Sequence, residues 1–189
     1  DIDGLKVHYK ETGPLGAPAL LLLHGFGSSL QAWDDWSVKL EQKYRVIRLD
    51  LPGFGLTGAS PDHDYSEEKD LAILTHFADK LGLDKFSVIG HSMGGKMAWS
   101  LAAAQPDRVQ ALVLMAPDGF PETKDIGTKP YEVPAIMGVI QYFLPKYLVR
   151  KSIEPAFANS AALNEALVNR YFDMLRAPGV RGAILDRSN

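Results

Sequence analysis

The sequence predicts an α/β fold: a mostly parallel sheet flanked by helices, followed by a helical cap. Three observations carry this. Short apolar runs recur at Ala19–Leu23, Tyr44–Leu49, Phe86–Ile89 and Val109–Met115, each closed by a turn that contains glycine. Helix-like segments separate them, the cadence of strands covered on both faces. After Pro117 the texture changes to a proline-interrupted, helix-like stretch without a convincing buried strand. Core and cap are accordingly placed at residues 1–117 and 118–189.

Taken in order, Leu5–Lys10 alternates and runs into Glu11-Thr12-Gly13-Pro14, an edge-type strand followed by a turn. Ala19–Leu23 is wholly apolar. Ala32–Leu40 reads as a short helix, and Tyr44–Leu49 as the next strand, meeting Asp50-Leu51-Pro52-Gly53. Ser66 is placed to cap a helix whose apolar positions are Leu71, Leu74, Phe77, Ala78 and Leu81, and Gly82 stops it. Phe86–Ile89 leads through Gly90 to an Ala/Met/Leu-rich helix over Ser92–Ala104 that ends before Pro106. Beyond Val109–Met115, Ala135–Phe143 and Ala161–Leu175 look helical, the latter with Asn159-Ser160 as caps and an apolar face of Leu163, Leu167, Tyr171 and Met174. That face fits ordinary helix packing or the lining of a pocket beneath a cap.

Composition removes several function classes. With 20 Lys+Arg against 23 Asp+Glu the net charge is −3, and no basic block offers the clustered cations that nucleic acid needs. Cysteine is absent, which excludes disulfides, thiolate metal sites and a Cys nucleophile. Ala19–Leu23 is about a quarter of the roughly 20 apolar residues that a membrane helix requires, so no span is expected. His63, His76, Asp62 and Asp64 do not recur at a metal-binding spacing. Asp50–Gly55 lacks a phosphate-loop pattern and reads as a tight turn with Asp50 bonding nearby N–H groups. No metal or cofactor is expected, and nothing indicates an oligomeric state.

The strongest chemical signal is Gly90-His91-Ser92-Met93-Gly94-Gly95, a G-x-S-x-G string between a predicted strand and a predicted helix. A turn this tight strains the central residue. Gly90 and Gly94 remove side chains that would collide, leaving Ser92 exposed where helix N–H groups are unpaired. The second signal is His24-Gly25-Phe26-Gly27 at the end of the first apolar strand. Gly25 and Gly27 let this loop bring the Phe26 N–H beside the nucleophile, where with the Met93 N–H it forms an oxyanion hole. His24 is read as a structural hydrogen-bonding residue, and His91 as pointing away from the nucleophile.

From about Leu5 to Pro117 these motifs resemble the α/β-hydrolase superfamily, and most closely its capped single-domain serine esterase, lipase and C–C hydrolase branch. That resemblance implies an acyl-enzyme on Ser92 and a small ester, thioester or lactone substrate, with C–C cleavage or cofactor-free haloperoxidase-like chemistry as alternatives. Serine at position 92 disfavours the relatives that attack through a carboxylate, namely dehalogenases and epoxide hydrolases. The family's triad runs Ser, then Asp/Glu, then His. Here the five histidines are 8, 24, 63, 76 and 91, so none follows Ser92. Asp118 occupies a position used for the acid in a minority of relatives. The reading adopted is a longer enzyme whose acid and histidine lie beyond Asn189, leaving residues 1–189 weak or inactive alone and one edge of the sheet uncovered. A non-catalytic hydrolase-like binding protein and a partner-supplied base are the alternatives.

Overall fold

The computed structural model describes residues 1–119, 142–157, 159 and 162–188. Five strands, β1 (Tyr9–Thr12), β2 (Ala19–Leu23), β3 (Arg45–Leu49), β4 (Phe86–His91) and β5 (Val109–Met115), form one sheet in the order β1-β3-β2-β4-β5. β1 pairs antiparallel with β3, and every other pairing is parallel. Parallel neighbours need crossovers. These are α1 (Asp34–Leu40, entered through a 3-10 turn at Leu30–Trp33), α2 (Glu67–Lys80) and α3 (Met93–Ala104).

Side-chain alternation along β2 explains why that strand is apolar throughout. Leu21 and Leu23 point into the larger core, with Ile47, Leu49 and Val88 from the sheet and Ile73, Phe77, Met97 and Leu101 from α2 and α3. Leu20 and Leu22 point to the other face, beside Val46, Ile89 and Trp33. Ser66 caps α2, its hydroxyl accepting from the Lys69 N–H at 3.3 Å.

Two boundaries differ from expectation by more than two residues. The first strand is Tyr9–Thr12, not Leu5–Lys10, because Ile2 and Leu5 close a tight turn on each other and plug the core there. β5 forms at its expected bounds and is an edge among the described residues, with Leu112 37% and Val113 48% exposed. The last predicted helix starts at Glu165, because the Asn164 side chain caps it by accepting from the Leu167 N–H at 2.9 Å. The helix expected at Ala135–Phe143 lies mostly outside the described residues.

Helices α4 (Lys146–Ile153), α5 (Glu165–Leu175) and α6 (Val180–Ser188) follow. Lys146 and Arg150 both reach Glu165, which ties α4 to α5. Arg170 reaches Asp34 on α1 at 3.4 Å. Ala183 is fully buried, and Ile184 packs against the larger core, so α6 returns to the sheet layer.

Candidate active site

Ser92 sits between the end of β4 and the first turn of α3 with φ 52° and ψ −123°. Backbone in that region costs a non-glycine residue about 1–3 kcal/mol and persists only where its surroundings over-determine it. They do so here. The Ser92 N–H donates to the Met115 carbonyl at 3.0 Å, and the Ser92 carbonyl accepts from the N–H groups of Lys96 (3.0 Å) and Asp118 (3.1 Å). The glycines follow from the same crowding. A Cβ at Gly90 would run into the Gly94 backbone, and one at Gly94 would lie 2.5 Å from the Leu23 carbonyl oxygen.

The loop after β2 closes on this turn from the other side. A Cβ at Gly25 would stand 3.2 Å from the Ser92 Cβ and 2.9 Å from His91 Nδ1. Phe26 is 48% exposed, its ring edge-on to Phe54 at 5.4 Å. Gly27 turns the chain with φ 68°. Met93 opens α3, so its N–H is among those a helix leaves without an internal partner.

His24 is fully buried, and both ring nitrogens are occupied: Nδ1 donates to the Gly25 carbonyl at 2.8 Å, and Nε2 accepts from the Leu51 N–H at 3.0 Å. Burial pushes its pKa down to about 4, outweighing the Gly25 hydrogen bond, which raises it. A neutral, doubly bonded imidazole is a structural strut. Because its unfolded value is about 6.5, folding stability is full above that pH and falls as pH drops towards 4, by up to about 3 kcal/mol. Urea titrations between pH 7 and 4 should show this decline, and His24→Gln should flatten it.

The other histidines are placed as follows. His8 pairs with Asp50 at 2.7 Å, His63 with Asp186 at 2.8 Å and His76 with Asp3 at 2.6 Å. The His91 ring lies against Gly25, and the residue borders the same cavity as Ser92. Among the described residues, the group that meets Ser92 Oγ is the Asp118 carboxylate, at 3.3 and 3.4 Å. The carboxylate meets the hydroxyl directly, with no imidazole between them among the described residues.

Above Ser92 is a cavity of about 1010 Å³. Its wall is largely apolar, with Trp33 and Trp36 on one side, Leu148 and Tyr171 from α4 and α5, and Ile184 and Leu185 from α6. Of the apolar face expected on the last predicted helix, Tyr171 reaches this wall, while Leu163 lies before α5 and is buried. The tryptophans were not singled out in sequence, although their i, i+3 spacing places both on one side of a helical turn. The sequence shows no cationic cluster, yet the fold brings Lys151 and Arg181 to the cavity lining.

Asp50 is a second structural anchor, beside His24. Its buried carboxylate accepts from the N–H groups of Leu30 (2.7 Å) and Leu56 (2.8 Å) and holds His8. It thereby fixes both the turn that carries Trp33 and leads into α1, and the loop that carries Phe54.

Residues 18–178 match the family described as alpha/beta hydrolase fold. Epoxide hydrolase 4 of Mus musculus is 37% identical over 114 residues, which are 59% of this chain and 32% of that protein. The dihydrolipoyllysine-residue acetyltransferase component of the acetoin cleaving system of Cupriavidus necator is 38% identical over 128 residues, 67% of this chain and 33% of that protein. The chain thus spans about a third of the length of these curated relatives. The crystal structure of Cfl2 from Burkholderia cenocepacia superposes with a TM-score of 0.83 at 23% identity, covering 98% of this chain and 67% of that one. With a matching profile across most of its length and a strained serine turn at the head of its central parallel strands, the chain belongs to the alpha/beta hydrolase fold family.

Proposed function

We propose that this chain carries the nucleophile of a serine hydrolase acting on a small ester, thioester or lactone. The observation that carries the reading is Ser92, held at φ 52° on the floor of an apolar cavity. In this mechanism Ser92 Oγ bonds to the substrate's acyl carbon as its proton passes to a base. The carbonyl electron pair moves onto oxygen, facing the N–H groups of Phe26 and Met93. The pair then returns, the C–O or C–S bond of the leaving group breaks, and the base gives that group its proton. Water repeats the sequence on the acyl-enzyme, giving the free acid and restoring Ser92.

The base is a histidine outside residues 1–189. His8, His24, His63 and His76 are committed to other partners, and His91, although it borders the cavity, makes no hydrogen bond to Ser92 among the described residues. Epoxide hydrolases among the relatives do not redirect this reading, because the residue in the strained turn is an alcohol and not a carboxylate. The contact between Ser92 and Asp118 favours a second reading, a hydrolase-like protein that binds a ligand in this cavity without turnover.

A graded series of p-nitrophenyl esters, assayed on the whole protein without added metal, separates the two. Turnover together with fluorophosphonate labelling supports the hydrolase. Saturable ester binding with neither turnover nor labelling supports the binding protein. Turnover of a β-ketoacid or of a ring-fission product, with no ester activity, moves the assignment to C–C cleavage.

A further inference from the structure

Arg187, near the end of α6, and Asp70 on α2 form an ion pair 117 residues apart in sequence, with side chains only 6% and 4% exposed. Burying two charges costs several kcal/mol each unless the geometry is good and the remaining donors are satisfied. Here the geometry is good, and three of the five guanidinium N–H groups have acceptors. Nη1 and Nη2 grip the two carboxylate oxygens at 2.9 and 2.6 Å, and Nε donates to the Pro52 carbonyl at 3.0 Å. The guanidinium also lies over Tyr65 (4.7 Å) and Phe54 (5.5 Å). Attachment of α6 does not require this pair, since Val180 and Ala183 on the same helix are already buried. What a planar fork with three fixed partners adds is direction.

That direction leads to the nucleophile. The turn whose carbonyl Arg187 holds carries Phe54, whose ring stands edge-on to both Phe26 (5.4 Å) and His24 (5.7 Å). Leu51, at the start of the turn, donates to His24. Two ring contacts and a hydrogen bond therefore run from the Leu51–Phe54 turn to the loop that faces Ser92. On the same helix as Arg187, Ile184 and Leu185 form a wall of the cavity. Arg187 lies beyond residue 178, outside the segment that the family match covers.

We infer that Arg187 is a positioning residue for acyl transfer: clamped on Asp70 and Pro52, it holds Phe54 against Phe26 and His24 and so fixes the oxyanion loop opposite Ser92. The inference rests on the reading of Ser92 as a nucleophile, and its test separates the two. The variants are Arg187→Lys, which loses the fork, and Phe54→Leu, which keeps the ion pair but removes the rings' contact. Each is assayed well below its own melting temperature.

An alkyl boronic acid, whose tetrahedral adduct on Ser92 places an oxygen in the hole, should bind both variants about tenfold more weakly, since an ångström of misplacement can cost about a hundredfold and a loosened loop is displaced by less. KM for a p-nitrophenyl ester should stay within about twofold, since ground-state binding does not use the hole. Backbone amide exchange at Leu51, whose buried N–H is bonded to His24, should accelerate in both. Unchanged boronate affinity and unchanged Leu51 exchange in folded variants overturn the inference, as does a KM that rises in step with the boronate constant. If wild-type protein takes up no boronate, the acyl-transfer reading fails, and Leu51 exchange alone then decides whether Arg187 holds the loop.

Discussion

Replacing Ser92 by alanine in the whole protein should lower kcat/KM for esters by about 10⁴-fold or more, with little change in folding. The hydroxyl is the only atom that the proposed chemistry places on the acyl carbon, so no partial substitute is left behind. The structural cost is small for a defined reason. The Ser92 hydroxyl does not cap α3, and the bonds that hold the turn run through its backbone N–H and carbonyl. Alanine keeps all of them while bearing the same backbone strain. Circular dichroism and a thermal melt should therefore superpose on wild type while fluorophosphonate labelling disappears. A variant that still labels would place the nucleophile elsewhere.

The second large effect is on stability. Asp50→Ala should cost about 3–5 kcal/mol, the range for breaking a buried charged network by removing one member. Three partners lose their acceptor together: the Leu30 N–H, the Leu56 N–H and the His8 ring. The carboxylate also fills the space against Gly55, so a cavity remains. For a chain of this length the loss corresponds to a drop in melting temperature of roughly 10 °C. Asp50→Asn retains one acceptor oxygen and should recover about half of the loss. Activity should fall with stability, because the freed segments carry Trp33 on one side and Phe54 on the other. Equilibrium urea unfolding of the three proteins gives the comparison directly.

What was legible in the sequence is what depends on neighbours along the chain. Gly90 announces the serine turn because the collision it avoids, with the Gly94 backbone, lies within five residues. Ser66 announces α2 because a cap bonds three residues ahead, whereas Gly25 and Gly94 were legible only as parts of motifs, since the collisions they avoid are with His91 and Ser92 and with Leu23, far along the chain. Features that depend on distant partners were not legible. Leu5 reads as strand by alternation, but its apolar side chain serves a turn with Ile2 that plugs the core. Asn159 and Asn164 are equally good caps by residue type, and Asn164 wins because its side chain meets the Leu167 N–H. The contact between Asp118 and Ser92, the tryptophan wall of the cavity and the grip of Arg187 on Asp70 are all made by the fold, across separations that no local pattern encodes.

The central claim is that an acyl group passes through Ser92. It is tested by acid-quenching the whole protein during turnover of a slow p-nitrophenyl ester, digesting it with trypsin and weighing the peptides. The account predicts a mass increase equal to the acyl group on the peptide Phe86–Lys96, which fragmentation assigns to Ser92 and not to Ser87. Turnover with the acyl group on any other peptide, or with no acylated peptide at any quench time, would contradict it.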